Sequence, residues 1–179
     1  MTPLRRSYWL SMAALVVALP AALAVQCWGS VVDWRADHER RPIAAVVGRS
    51  IDYAAASWTV TRLVRFSGRE GRVVVLAEFQ AVARDPRGLS ALPCTVWLSD
   101  GDGREWRPTL FPGSVIRKLY PEAARRSLCG GPAFAAAEPG KPAMMVASFT
   151  VPASARDLTL SIALHSELPN YLKVSEPEN

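Results

Sequence analysis

The side chains that could do chemistry in this sequence are few and lie far apart. The chain has three cysteines and two histidines, and most of the sequence separates His38 from His165. A zinc site needs about four nitrogen, sulfur or oxygen ligands, and a catalytic thiol needs a neighbouring base. We therefore expect no metal site, no cofactor and no catalytic residue, and we interpret both histidines as solvated surface residues.

Three other polar features also fall short of a reactive site. The segment 100–103, Asp-Gly-Asp-Gly, resembles a fragment of a calcium loop, but nothing after Glu105 completes the spacing that about six to eight oxygen ligands require. We interpret it as a tight hairpin turn. Ser114 lacks the second glycine of a nucleophile elbow. Glu78 has no partner carboxylate for acid–base work, and we interpret it as a solvent-facing strand residue.

Cys94 and Cys129 are the two cysteines of the globular part, whereas Cys27 lies in the apolar N-terminal segment. An even pair in an exported domain predicts a disulfide. The bridge would close a loop of about 36 residues and stabilise the fold by roughly 3.8 kcal/mol in the chain-entropy picture. The alternative is a pair of free buried thiols.

The tryptophans supply the candidate binding patch. Trp97 alternates with Val96 and Leu98, which predicts that it faces outward, and Trp106 lies on the partner strand of the same hairpin. Together with Phe111 they would form an exposed aromatic patch for a protein, lipid or sugar. The alternative is that these rings cover the edge of the second sheet or the loop at 130–142.

The N-terminal segment is long and apolar enough to enter a membrane. No charged residue occurs from Trp9 to Val32, and Arg5 and Arg6 precede this stretch. A spanning helix needs about 20 such residues, so we favour a retained anchor. A signal peptide cleaved near Ala24, after the helix-breaking Pro20, is the main alternative, and a buried core helix is the third.

The anchor interpretation predicts a single-pass membrane protein with a cytoplasmic N-terminus and its globular domain on the periplasmic or extracellular side. The arginines decide little, because Arg35, Arg40 and Arg41 follow the apolar segment and only two precede it. The orientation depends instead on the export character of the segment and on the cysteine pair. Cleavage would give a secreted protein.

Period-2 alternation dominates the remainder and predicts a mainly β protein. The clearest strands span residues 72–84 and 158–165. Residues 58–66 alternate with two exceptions, Arg62 among the apolar positions and Leu63 among the polar ones. Six to eight short strands with turns between them predict a two-sheet antiparallel β-sandwich. A short helix is expected at 120–128, followed by a loop at 130–142.

The domain boundaries follow from these patterns. We predict a basic leader, the membrane anchor or signal peptide, a polar stem, the β-sandwich and a short tail, at residues 1–7, 8–32, 33–50, 51–175 and 176–179.

The strand at Val73–Phe79, the hairpin Trp97–Gly103, and Phe149–Pro152 before Leu158–Leu160 resemble a broad group of bacterial envelope proteins. These proteins pair an N-terminal signal or anchor with an immunoglobulin-like domain of unknown function. The resemblance covers roughly residues 55 to 165. It implies an antiparallel immunoglobulin-like β-sandwich in the cell envelope, and it transfers no catalytic or binding residue.

The function expected from the sequence is non-enzymatic. The formal net charge of +5 is scattered, without the interleaved basic and aromatic residues of a nucleic-acid surface, so no nucleic-acid partner is expected. We predict a binding or accessory component of a cell-envelope complex, whose partner is another envelope protein. The alternatives are a binding module for a small apolar ligand or lipid at the tryptophan patch, and an enzyme whose site the sequence does not reveal.

Overall fold

The chain forms two compact units, Met1–Arg40 and Arg41–Asn179, in a computed structural model. The structure describes residues 3–38, 40–68, 71–110 and 113–176, with side chains described from residue 12 to 30 and from 40 onward.

The first unit is the helix α1, Pro3–His38, with Pro20 inside it. Its segment Met12–Ser30 is 19 residues long and apolar enough to cross a membrane. At 1.5 Å per residue such a segment spans about 28 Å, close to the ~30 Å hydrocarbon core of a bilayer. A signal sequence near the N-terminus has the same length and composition.

The second unit is built mainly of strands. The described strands are β1 (Arg41–Val46), β2 (Ser50–Tyr53), β3 (Ala56–Ser67), β4 (Arg72–Ala83), β5 (Cys94–Ser99), β6 (Glu105–Trp106), β7 (Pro142–Pro152), β8 (Thr159–Leu164) and β9 (Asn170–Ser175). Four short helices connect them, α2 (Pro86–Ser90), α3 (Ser114–Leu119), α4 (Pro121–Ala124) and α5 (Gly131–Ala135).

The strands form two sheets, in the orders β1-β9-β8-β5-β6 and β2-β3-β4-β7. All pairings are antiparallel except that of β1 with β9. The prediction of a mainly β, two-sheet sandwich is confirmed. The range predicted as a polar stem, 33–50, instead contains the end of α1, which runs to His38, and the strand β1. As an edge strand β1 packs only Ile43 and Ala45 on the core, which leaves a weak sequence pattern.

The main core lies between the sheets and follows the predicted alternation of the long strands. In β4 the inward residues Val75, Ala77, Phe79 and Ala81 are fully buried, and they pair with the inward residues of β7. Trp58, 1% exposed, lies among them and donates its Nε1 hydrogen bond to a carbonyl of β2 2.9 Å away.

A β-bulge in β3 explains both exceptions in its alternation. Val60 pairs with Phe79 and Arg62 pairs with Glu78, so Thr61 is an extra residue. An extra residue reverses the faces of all that follow it. Arg62 therefore points away from the main core, and Leu63 packs against that core.

The bulge gives the four-stranded sheet a second apolar cluster on its outer face. Beyond it, Phe66 joins Leu76 and Val146 on this face, where Ile116 of α3 and Ala123 of α4 cover them. We call residues 107–110 and 113–128 the strap, because they cross this outer face. The predicted helix at 120–128 is limited to α4 in the structure, and α3 was not expected from the sequence.

The loop predicted at 130–142 contains the helix α5. Its Phe134 is fully buried, with its ring 6.0 Å from that of Trp58 and at 77° to it. Gly131 has no room for a side chain, because an added Cβ would lie 2.8 Å from the backbone oxygen of Ser90. The segment is too short and too rich in glycine and proline for a periodic signal.

Single-residue deletions in β3 test the bulge. Deleting Thr61 restores regular alternation with Val60 and Leu63 still inward, so the protein should still fold. We expect its free energy of unfolding to fall by about 1–3 kcal/mol, because the bend in the strand and the hydrogen bond from Thr61 to the Glu78 carbonyl are lost. Deleting Val64 moves Phe66 inward or Arg62 into the core, and should prevent folding. Urea unfolding measures both, and equal losses would contradict the assignment.

Candidate functional site

The two predicted patch tryptophans lie on opposite faces of the five-stranded sheet. Trp106 pairs with Leu98, so it shares the inner side, and it packs against the main core with the Arg104 guanidinium 5.7 Å from its ring centre. Trp97 lies on the outer side. Phe111 falls outside the described residues. The structure therefore does not bring Trp97 and Trp106 into one patch, because strand register sets the face of each.

Trp97 has a different aromatic neighbour, Tyr171 of β9. Their ring centres are 5.1 Å apart, and both side chains are half-buried. Between them runs β8, whose outward residues Ser161 and Ala163 are small and buried, at 1% and 5% exposure. We call Trp97, Tyr171 and the exposed Lys173 the aromatic face. The alternation of residues 170–175 could have placed Tyr171 outward, but only the sheet order makes it a neighbour of Trp97.

Glu78 is buried, contrary to the solvent-facing position expected from the sequence. It is 8% exposed, and its Oε2 lies 2.5 Å from a guanidinium nitrogen of Arg126 in the strap. Arg62 approaches the other carboxylate oxygen at 3.4 Å and places its guanidinium 5.3 Å from the ring centre of Tyr120. The carboxylate thus joins the bulged strand to the strap, which is a structural role.

Removing the arginine of this pair should destabilise the fold. Arg126→Ala leaves Glu78 buried without its closest partner, and we expect a loss of about 2–3 kcal/mol, because the Arg126 side chain is still 28% exposed. The matched control is Arg125→Ala, whose exposed pair with Glu122 at 3.5 Å should be worth under about 1 kcal/mol. Equal losses in chemical denaturation would contradict the role of Glu78.

The Asp100–Gly103 segment is a hairpin turn, as predicted. Gly103 adopts a φ of +80°, and the Asp100 carboxylate accepts hydrogen bonds from the backbone and side-chain nitrogens of Arg104 at 2.9 and 2.8 Å. Burial alone would raise the pKa of Asp100, but these hydrogen bonds and the charge of Arg104 lower it below its usual range. Within the described residues no group of three metal-ligating side chains occurs.

The lowered pKa of Asp100 makes the turn sensitive to acid. A carboxyl with a depressed folded-state pKa stabilises the fold above its unfolded pKa of about 3.9, and the contribution disappears as the pH falls through the folded-state value. We expect Asp100→Asn to be less stable than wild type at pH 6 and the difference to shrink below about pH 4. Thermal melting against pH measures this, and a constant difference would contradict it.

The other candidate groups remain isolated among the described residues. His165 is exposed in a short 3-10 turn, and Ser114 is exposed at the start of α3. Cys27 is exposed on α1, and the side chain of His38 lies outside the described residues. None of the described ones approaches a second reactive side chain.

The disulfide between Cys94 and Cys129 is present, with the two Cα atoms 5.6 Å apart. It joins the start of β5 to the chain just beyond the strap. The strap is therefore fixed covalently to one sheet and by Arg126 to the other.

Described residues line a small cavity in the core and an open cleft at the surface. One, beside Trp58 in the core, holds about 10 Å³, room for one water at most. The other is an open cleft of about 650 Å³ at one end of the sandwich, between the β2–β3 turn and α2, with Asp52, Arg84 and Asp85 in its lining. Ala54 and Ala55 in that turn have φ near +55°, which is strained for alanine.

Comparison with known proteins gives structural neighbours only. No protein-family model and no curated protein matches the chain. An uncharacterized β-sandwich protein from Clostridium difficile is 10% identical with a TM-score of 0.48, covering 76% of this chain and 95% of its own. A conserved hypothetical protein from Bacillus anthracis is 13% identical with a TM-score of 0.48, and the match covers 73% of this chain and 93% of that protein. The secreted protein MPT63 from Mycobacterium tuberculosis is 15% identical with a TM-score of 0.46, and the match covers 74% of this chain and 98% of that protein.

Proposed function

We propose that this is a non-enzymatic, membrane-anchored extracytoplasmic protein that serves as a binding or accessory component of a cell-envelope complex. The observation that carries the proposal is the exposure of every side chain of Met12–Ser30. An apolar helix of that length is unfavourable in water and favourable in a bilayer. The Cys94–Cys129 disulfide supports an oxidising compartment for the domain, and hence a cytoplasmic N-terminus.

The order of the strands supports an immunoglobulin-like assignment for the domain. In immunoglobulin domains one sheet contains strands A, B and E and the other contains G, F and C. Here β3-β4-β7 and β9-β8-β5 would take these places, with β6 as C′. The disulfide does not join strands B and F as it does in antibodies, because Cys94 begins the strand that corresponds to C.

The aromatic face is the surface we assign to the partner. Aromatic residues are enriched where binding energy concentrates, and the small residues between Trp97 and Tyr171 make this part of the sheet flat enough for another protein. Trp106 is not part of this surface, since it packs on the core.

Capture of partners from detergent-solubilised membranes tests the proposal. The full chain should resist carbonate extraction and retain a stoichiometric protein partner. Trp97→Ala should reduce that retention at least about tenfold, which corresponds to a loss of 1.4 kcal/mol of binding free energy. Lys173→Glu, at an exposed position, should do the same with less disturbance of the fold. The control Trp106→Ala should keep the partner and lower the melting temperature, by about 2–4 °C per kcal/mol.

Three outcomes would contradict this assignment. A mature chain starting near Val25 would show a cleaved signal peptide and remove the anchor. A bound lipid in place of a protein would favour the lipid-binding alternative. Unchanged retention in both aromatic-face variants would exclude this surface.

A further inference from the structure

The strap carries the entire positive charge excess of the second unit. Residues 41–179 contain 17 Lys and Arg against 13 Asp and Glu, and the strap contains five against one, so the rest balances at 12 and 12. A concentration of one sign in a single surface segment attracts a partner of the opposite sign.

The charges at the end of α3 are available for such a partner. Arg117 and Lys118 are both exposed in its last turn, and neither forms an ion pair within the described residues. Arg126, by contrast, is engaged by Glu78.

Two leucines of the strap protrude into solvent. Leu110 is 78% exposed and Leu119 is 60% exposed, and in the described part of residues 41–176 no other large hydrophobic side chain is as open to solvent. Exposed aliphatic tips next to basic groups are typical of surfaces that enter the headgroup region of a bilayer.

The sheet holds these residues in one place. Thr109, just before Leu110, bonds through its hydroxyl to that of Ser148 at 2.6 Å. Ser148 pairs with Leu76 across β7 and β4, and Ile116 of α3 packs on Leu76. Leu110 and Arg117 therefore follow residues that are fixed at the same point of the outer face.

We propose that Leu110, Arg117, Lys118 and Leu119, the basic face, bind the anionic lipid headgroups of the bilayer that holds α1. This rests on the membrane location proposed above. About 11 residues separate Ser30 from Arg41, so the length of the chain limits the distance between them to about 40 Å, and the headgroups of the bilayer that holds α1 are an extended anionic surface within that reach. Tethering at this range raises the effective lipid concentration and makes modest affinity sufficient.

Each basic residue near an anionic surface strengthens binding about fivefold. Reversing the charges of Arg117 and Lys118 should therefore weaken membrane binding more than about 25-fold. Added salt should also weaken the binding of the wild-type domain.

A fluorescent probe on the full chain in nanodiscs tests this. With Cys27→Ala as background, an environment-sensitive dye is attached to Ser114→Cys, or to Ser166→Cys as the control position. Spin-labelled headgroup lipids should quench the dye at position 114 at least about twofold more when phosphatidylglycerol is added to phosphatidylcholine. Position 166 should not respond.

The charge variants decide the outcome. Arg117→Glu with Lys118→Glu should abolish the response to phosphatidylglycerol, while the exposed pair Arg49→Glu with Arg87→Glu, an equal change in net charge, should preserve it. Equal quenching in both lipids, or equal effects of the two double variants, would overturn the proposal. If the chain does not insert into nanodiscs, the proposal of a membrane anchor is contradicted. The basic face is then tested by co-sedimentation with vesicles of the same two lipid compositions, comparing the same two double variants.

Discussion

The extra residue Thr61 in β3 is the constraint on which the arrangement of the domain depends. It sets Trp58 and Val60 toward the space between the sheets and turns Arg62 and Phe66 toward the opposite face. One strand thus contributes to two apolar clusters, because a bulge reverses the period-2 alternation without interrupting the sheet. Without this reversal, Arg62 would not lie opposite Glu78, and the outer face would lack the phenylalanine that the strap helps to cover.

The strap gives the sandwich a third layer over part of one sheet. Three different interactions hold it, namely the apolar contact of Ile116, the ion pair of Arg126 with Glu78, and the disulfide at Cys129. Two of them act within the segment and the disulfide acts just beyond its end, so the short helices α3 and α4 need little stability of their own. The same packing that fixes the strap also determines which of its side chains remain outside, and these include Arg117, Lys118 and the two leucines.

The candidate surfaces show where sequence reasoning reaches its limit. Alternation correctly separates Trp97 from Val96 and Leu98, but it gives no register between β5 and β6, and register is what turns Trp106 inward. Tyr171 is 74 residues from Trp97 in the sequence, and only the placement of β8 and β9 beside β5 makes them neighbours. The burial of Glu78 likewise requires Arg126 from a distant segment, because a carboxylate in a strand is stable there only with a cationic partner.

The sequence by itself determined the features that depend on local pattern and composition. These are the apolar helix, the strands β4 and β8 with their inward faces, the hairpin turn at Asp100–Gly103, and the cysteine pair. The tertiary structure alone decided the order of the strands, the edge strand β1, the small helices and the path of the strap. The physical reason is that alternation and turn residues act over a few positions, whereas register, strand order and buried charge pairs depend on contacts between segments that the sequence does not place together.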